Sequence, residues 1–129
     1  MTMKIKLDGT EYDVRVVYDT LLRSFAIREG ANAGTALSGR RIFDLIGTDY
    51  AFSMQVEPNP ANPTDYDNFF DAISAPVETH TVELPYGQST ISFECYIQAG
   101  GDAYHGILGA KRWRGLSVTF TPVAPQRTV

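Results

Sequence analysis

Apolar and polar residues alternate at every second position through most of this chain, which commits those stretches to extended backbone with one buried face and one wetter face. Met3, Ile5 and Leu7 alternate with Lys4 and Lys6. Asp8-Gly9 then supplies a turn, and Tyr12, Val14, Val16 and Tyr18 resume the alternation against Asp13 and Arg15, which predicts an opening β-hairpin. Tyr50, Phe52, Met54 and Val56 repeat the device, as do Ile91, Phe93, Cys95 and Ile97, and again Leu116, Val118 and Phe120. Residues 77–84 and 90–98 flank Pro85-Tyr86-Gly87-Gln88-Ser89 and are expected to pair as an antiparallel hairpin.

The period changes once. Pro58, Pro60 and Pro63 cannot donate to a ladder, so residues 58–63 form a loop. Tyr66, Phe69, Phe70 and Ile73 then fall at i, i+3, i+4 and i+7, one face of a helix over about residues 64–75. Asn62 or Thr64 serves as N-cap, Asp65 and Asp67 suit the first turn, and Ala75-Pro76 ends the helix. The segment from Arg28 to Gly39 lacks an apolar period and is expected as a long loop. Residues 100–109 are expected as a second loop, and Ala124 to Val129 as an extended, poorly anchored end. The fold class that follows is mainly β: an antiparallel sandwich or barrel of about seven to eight strands with one short helix.

With 129 residues, 43% of them hydrophobic, the chain has material for one core, so residues 1–129 are read as a single domain. The net charge of −4 lacks the basic bias of nucleic-acid and membrane-surface binders. No apolar run approaches the ~20 residues of a membrane-spanning helix. Lysines alternate through Met1 to Leu7 where a signal peptide would place an apolar core, so a cytosolic product is expected. One cysteine, Cys95, forbids an internal disulfide and offers no thiolate cluster for zinc.

His80 and His105 are the only histidines available to acid–base or metal chemistry. His80 sits between Thr79 and Thr81 and is expected as a partly exposed strand residue; His105 is expected on the surface of a glycine-rich loop. Cys95 shares an apolar face with Phe93 and Ile97 and reads as a small buried hydrophobe. Asp65, Asp67 and Asp71 complement the helix dipole. Gly34 and Gly39 make no phosphate loop, since no Gly-Lys-Ser/Thr follows. No catalytic, cofactor-binding or metal-binding residue is assigned. Lys111-Arg112-Trp113-Arg114 pairs cations with an aromatic, but against an acidic total it reads as a partner-facing strand end and not as a nucleic-acid site. Arg40-Arg41 is suited to acidic residues of the same chain or of a neighbouring subunit.

Three stretches carry a resemblance. They are Gly39-Arg40-Arg41-Ile42 with Gly47-Thr48-Asp49-Tyr50, then Ala75-Pro76-Val77-Glu78-Thr79-His80-Thr81-Val82-Glu83-Leu84-Pro85-Tyr86, and Trp113-Arg114-Gly115-Leu116-Ser117-Val118-Thr119-Phe120 with Pro125-Gln126-Arg127. Together with the paired aromatics ahead of Ala75-Pro76, they resemble, in the same order and over roughly two thirds of the chain, small proteins encoded among the tail genes of siphophages and prophages. The resemblance implies a tail structural protein similar to tail-tube, tail-terminator and distal-tail N-terminal domains, which are β-sandwiches or barrels with one flanking helix that assemble into rings. The chain departs from distal-tail proteins in lacking a second, carbohydrate-binding-like domain.

The expected function is therefore non-enzymatic: a virion or prophage tail component that forms a ring through strand edges and the Arg28 to Arg41 loop. Its partners would be further copies of itself and other tail proteins, with no cofactor, membrane, small-molecule substrate or sequence-specific nucleic acid. Its location would be the host cytoplasm and then the virion tail. Arg28, Arg40, Arg41, Arg112 and Arg114 are the candidate subunit-interface residues. The alternative is a monomeric binding module for a small ligand or peptide, with Tyr86, Tyr96, Tyr104 and Trp113 lining its site. An enzyme would have to use His80 or His105 beside an acid.

Overall fold

The computed structural model describes residues 3–17, 19–107 and 110–129. Tyr18, expected to close the second strand's alternation, lies outside them. The described residues form strands β1 (Met3–Leu7), β2 (Thr10–Val16), β3 (Leu22–Glu29), β4 (Gly34–Thr35), β5 (Arg41–Ile42) and β6 (Leu45–Pro58), and then helix α1 (Pro63–Ile73). After the helix come β7 (His80–Tyr86), β8 (Ser89–Tyr96), β9 (Gly100–Ile107), β10 (Ala110–Pro122) and β11 (Arg127–Thr128).

Six strands close on themselves in the order β6-β2-β1-β7-β8-β10 and back to β6, every pair antiparallel. The architecture is thus a barrel, with β3, β9 and β11 added outside the closed ring and β4 and β5 forming a separate two-stranded sheet. Alternation explains why closure works: each barrel strand sends every second side chain inward. Ile5, Leu7, Val14, Val16, Phe52, Met54, Val56, Val82, Leu84, Phe93, Cys95, Leu116, Val118 and Phe120 are all buried there.

The predicted opening hairpin is present, and its turn has the chemistry its twist requires. Asp8 and Gly9 both have positive φ, 52° and 84°, the pattern of a type I′ turn. The β7–β8 hairpin turns on Gly87-Gln88 alone; Pro85 and Tyr86 are still paired, with Thr90 and Ser89. Gly87 at φ 64° supplies the left-handed first position.

Helix α1 starts with Pro63 in its first turn after Asn62, which makes no side-chain capping bond. It stops at Ile73, where the Ser74 hydroxyl donates back to the Phe70 carbonyl (2.7 Å). Tyr66, Phe69 and Ile73 bury its inner face in the barrel core, and Phe69 meets Tyr12 edge to face at 5.4 Å. Asp65 does more than complement the dipole: its Oδ2 accepts the Asp13 N–H (2.6 Å), fastening the helix to β2.

The expected loop over 28–39 is a loop but for Arg28 and Glu29 in β3 and Gly34 and Thr35 in β4. The expected loop over 100–109 is strand through Ile107, with residues 108 and 109 outside the described residues. The tail expected as poorly anchored is tied to β6 by β11 and Gln126. Arg28 belongs to β3, so the excursion begins at Gly30, closes at Asp44 through a Gly30 N–H to Asp44 carbonyl bond (2.9 Å), and contains β4 and β5. Residues 100–107 form β9, paired with β10. Neither stretch shows period-2 alternation because neither has a face in the core. Their ladder partners, β6 and β10, run on past the barrel and hold them from one side.

Candidate assembly surface

β6 is 14 residues long, and only its C-terminal half belongs to the barrel. Residues Phe52 to Val56 pair with β10. The N-terminal half projects beyond, carrying β3 along one side from Leu45 to Ser53 and β11 along the other at Gly47 and Thr48. β3 has no second neighbour among the described strands, so it presents a free edge eight residues long. That edge is also apolar: Phe25 is 70% and Ile27 58% exposed, with Leu22, Phe43, Leu45 and Ile46 exposed around them. Apolar side chains gathered on an open strand edge are what a partner's strand or surface would cover.

The excursion from Gly30 to Asp44 stands at the same end. β4 and β5 pair through Gly34 with Ile42 and Thr35 with Arg41. The tip is a turn held by two bonds, from the Gly39 N–H to the Ala36 carbonyl and from the Ala36 N–H to the Arg40 carbonyl, each 2.8 Å. Gly39 sits at φ 84°, where a side chain would strain the backbone. Leu37 projects from this turn fully exposed.

The candidate interface arginines whose side chains are described do not converge. Arg28 Nε bonds Asp49 Oδ2 at 2.9 Å, and Arg41 pairs with Glu29 while its guanidinium lies 5.8 Å from the Phe43 ring. These two brace the ribbon and the excursion. Arg40 is exposed with no ion pair among the described residues. Arg114 lies at the far end of β6, bonded to Glu57 at 3.1 and 3.4 Å. The Arg112 side chain lies outside the described residues, as does that of His105. One arginine of this end was not singled out from sequence: Arg23, whose guanidinium sits 5.3 Å from the Tyr86 ring, beside the Tyr50–Tyr86 pair.

The aromatic residues expected to line one ligand site are also dispersed. Tyr104 and Trp113 stack edge to face at 5.2 Å on the β9–β10 ribbon, whereas Tyr86 stands against Tyr50 at the opposite end. Tyr96 lines a small cleft of about 210 Å³ beside β3, near the buried, unpartnered Oδ1 of Asp49.

His80 corrects the expectation of a partly exposed strand residue. It is 5% exposed and faces the barrel interior opposite Cys95. Its Nδ1 lies 2.7 Å from Asp8 Oδ2, while Asp8 Oδ1 accepts the Thr81 N–H (2.8 Å). Partial burial pushes the Asp8 carboxyl up, but the bonds from His80 and Thr81 and the nearby His80 charge outweigh it and hold the carboxyl below its ordinary range. Cys95, expected as a small buried hydrophobe, is fully buried. Burial, with Asp8 and Glu94 nearby, pushes its thiol up to about 12, which leaves no thiolate for nucleophilic chemistry near neutrality. Cys95 and His80 are thus packed inside the barrel, and half-exposed Asp8 holds the His80 ring from the end of β1. Among the described residues, no three His, Cys, Asp or Glu side chains are placed to hold a metal ion, and no helix is long and apolar enough to cross a membrane.

Against known proteins, the chain matches no family model and no curated sequence.

Proposed function

We propose that this chain is a structural subunit that works by assembling with further copies of itself, as a phage or prophage tail component of the tube or distal-tail kind. The observation that carries this reading is the free edge of β3, with Phe25 and Ile27 in solvent on a strand outside the closed ring. A monomeric protein gains nothing from an open, apolar strand edge and risks aggregation by it. An assembling one uses the edge to extend its sheet across a subunit boundary. The resemblance to tail proteins in Gly39–Ile42, Ala75–Tyr86 and Trp113–Phe120 supports the same reading. A ring of such barrels needs no catalytic group.

The excursion at this end takes part in the contact. Deleting residues 31–38 leaves Gly30 and Asp44 joined by a five-residue connection, 39–43, short enough for a hairpin loop. The deletion variant is expected to keep the barrel's circular dichroism and unfolding midpoint but to sediment as a monomer where the full chain sediments as an oligomer. A deletion variant with the full chain's oligomeric state would refute the role given to the excursion.

A further inference from the structure

The two ends of the molecule are chemically unlike, and one holds a cleft suited to what the other displays. Between α1 and the β9–β10 ribbon lies a cleft of about 550 Å³ lined by Tyr66, Phe70 and Trp113 with Asp67, Asp71 and Asp102. Its walls are aromatic and its rim is carboxylate. Asp102 already accepts the Tyr66 hydroxyl (2.7 Å), whereas the Asp67 and Asp71 carboxylates are exposed and have no hydrogen-bond or ion-pair partner among the described residues. A side chain seated there packs on apolar faces and has negative charge at its margin. The complementary shape is an apolar knob followed by a cation.

The tip of the excursion has that order. Leu37 projects in full exposure from a turn fixed by its own backbone bonds, and exposed Arg40 follows three residues later. The tip cannot reach the cleft of its own chain. Leu45 begins β6 beside the excursion and Pro58 ends it beside α1, so the 14-residue strand separates the two features. At the usual strand rise that is on the order of 40 Å.

The geometry points to a head-to-tail contact between copies, in which the Leu37–Arg40 tip of one chain seats in the α1/β9–β10 cleft of the next, Leu37 against Phe70 and Trp113 and Arg40 against Asp67 and Asp71. The surfaces differ on the two sides, so the contact is heterologous and propagates from copy to copy. This inference rests on self-assembly as proposed above and assigns it a second contact, separate from the β3 edge.

Charge reversal tests it. Sedimentation velocity across a concentration series is run on the full-length wild type, Arg40→Glu, Asp71→Arg and the double variant. Each single reversal is expected to weaken association at least tenfold, and the double variant to recover most of it. All the changes are at exposed positions, so circular dichroism should match the wild type in every case. A wild type that associates while both single variants associate equally well overturns this contact and leaves the β3 edge standing. So does a double variant no better than the worse single one. A wild type that stays monomeric at every concentration overturns both this contact and the assembly reading beneath it.

Discussion

Four side chains stand where a neighbouring strand would otherwise be. Gln126 is the fullest case: its Oε1 accepts the Tyr50 N–H (2.9 Å) and its Nε2 donates to the Tyr50 carbonyl (2.7 Å), so one side-chain amide replaces a peptide unit. It does so where β10 turns from β6 to pair with β8, before β11 returns to β6 at Arg127. Asp65 takes the Asp13 N–H, Asp8 takes the Thr81 N–H where β1 ends, and Thr20 Oγ1 accepts the Gln55 N–H (3.1 Å). Gln126→Ala is expected to strand both Tyr50 groups and cost about 1 to 3 kcal/mol, read as a lower urea midpoint at unchanged slope; an unchanged midpoint would show that water replaces the amide without loss. Asp8 makes a pH prediction with a definite sign. Its folded-state value lies below the ordinary 3.8, so its contribution is complete above about that pH and is lost as pH falls through the lower folded value. Asp8→Asn should therefore lower stability near neutrality and flatten its acid dependence below pH ~4, modestly because the carboxylate is half-exposed; an acid limb as steep as the wild type's would assign it to other groups. These roles are not legible in the sequence. A polar residue at a strand end looks the same whether it faces water or completes a ladder, and His80 between two threonines looks like a surface residue until its ring is seen facing Cys95.

At the scale of elements, legibility tracked burial. β6, β8, β10 and α1 were readable because each carries a periodic face that the core requires, and the observed helix differs from the expected one by a residue or two at its ends. β3 and β9 were not. Phe25 and Ile27 share a face of β3, but that face meets solvent, and Gly100-Gly101 begins β9 with no side chain to bury. Such strands exist because a longer neighbour offers its free backbone groups, and nothing in their own composition states that. Gly47 shows the same dependence from the other side. A Cβ there would lie 2.4 Å from the Arg127 carbonyl oxygen and 2.8 Å from Pro125 Cβ, so β11 can close on β6 only over a glycine. The excursion's independence follows from its base: a single backbone bond between Gly30 and Asp44 closes it, while the barrel core draws no residue from 30–44. That is why deletion of 31–38 is expected to spare stability while removing assembly.

For the whole molecule, alternation predicted a two-faced antiparallel fold but could not choose between sandwich and barrel, because closure depends on the β6–β10 pairing between residues some 60 positions apart. Once closed, the barrel is complete without β3, β9, β4 or β5, so what projects from it is free to serve contacts between copies. The apolar end around β3 and the excursion, with exposed Arg40, and the aromatic cleft beside α1, rimmed by Asp67, Asp71 and Asp102, make the two ends of the molecule unlike. Self-assembly through these projections, as proposed above, would show in the mass of the protein in solution. The most direct test is the molar mass of the purified chain by light scattering across a concentration series, beside a Phe25→Ser, Ile27→Ser variant whose exposed substitutions leave the barrel core untouched. The expected result is a discrete oligomer, or one that grows with concentration, for the wild type, and the mass of a folded monomer for the variant. A wild type that remains a monomer at every concentration, or a variant that assembles as the wild type does, would contradict it.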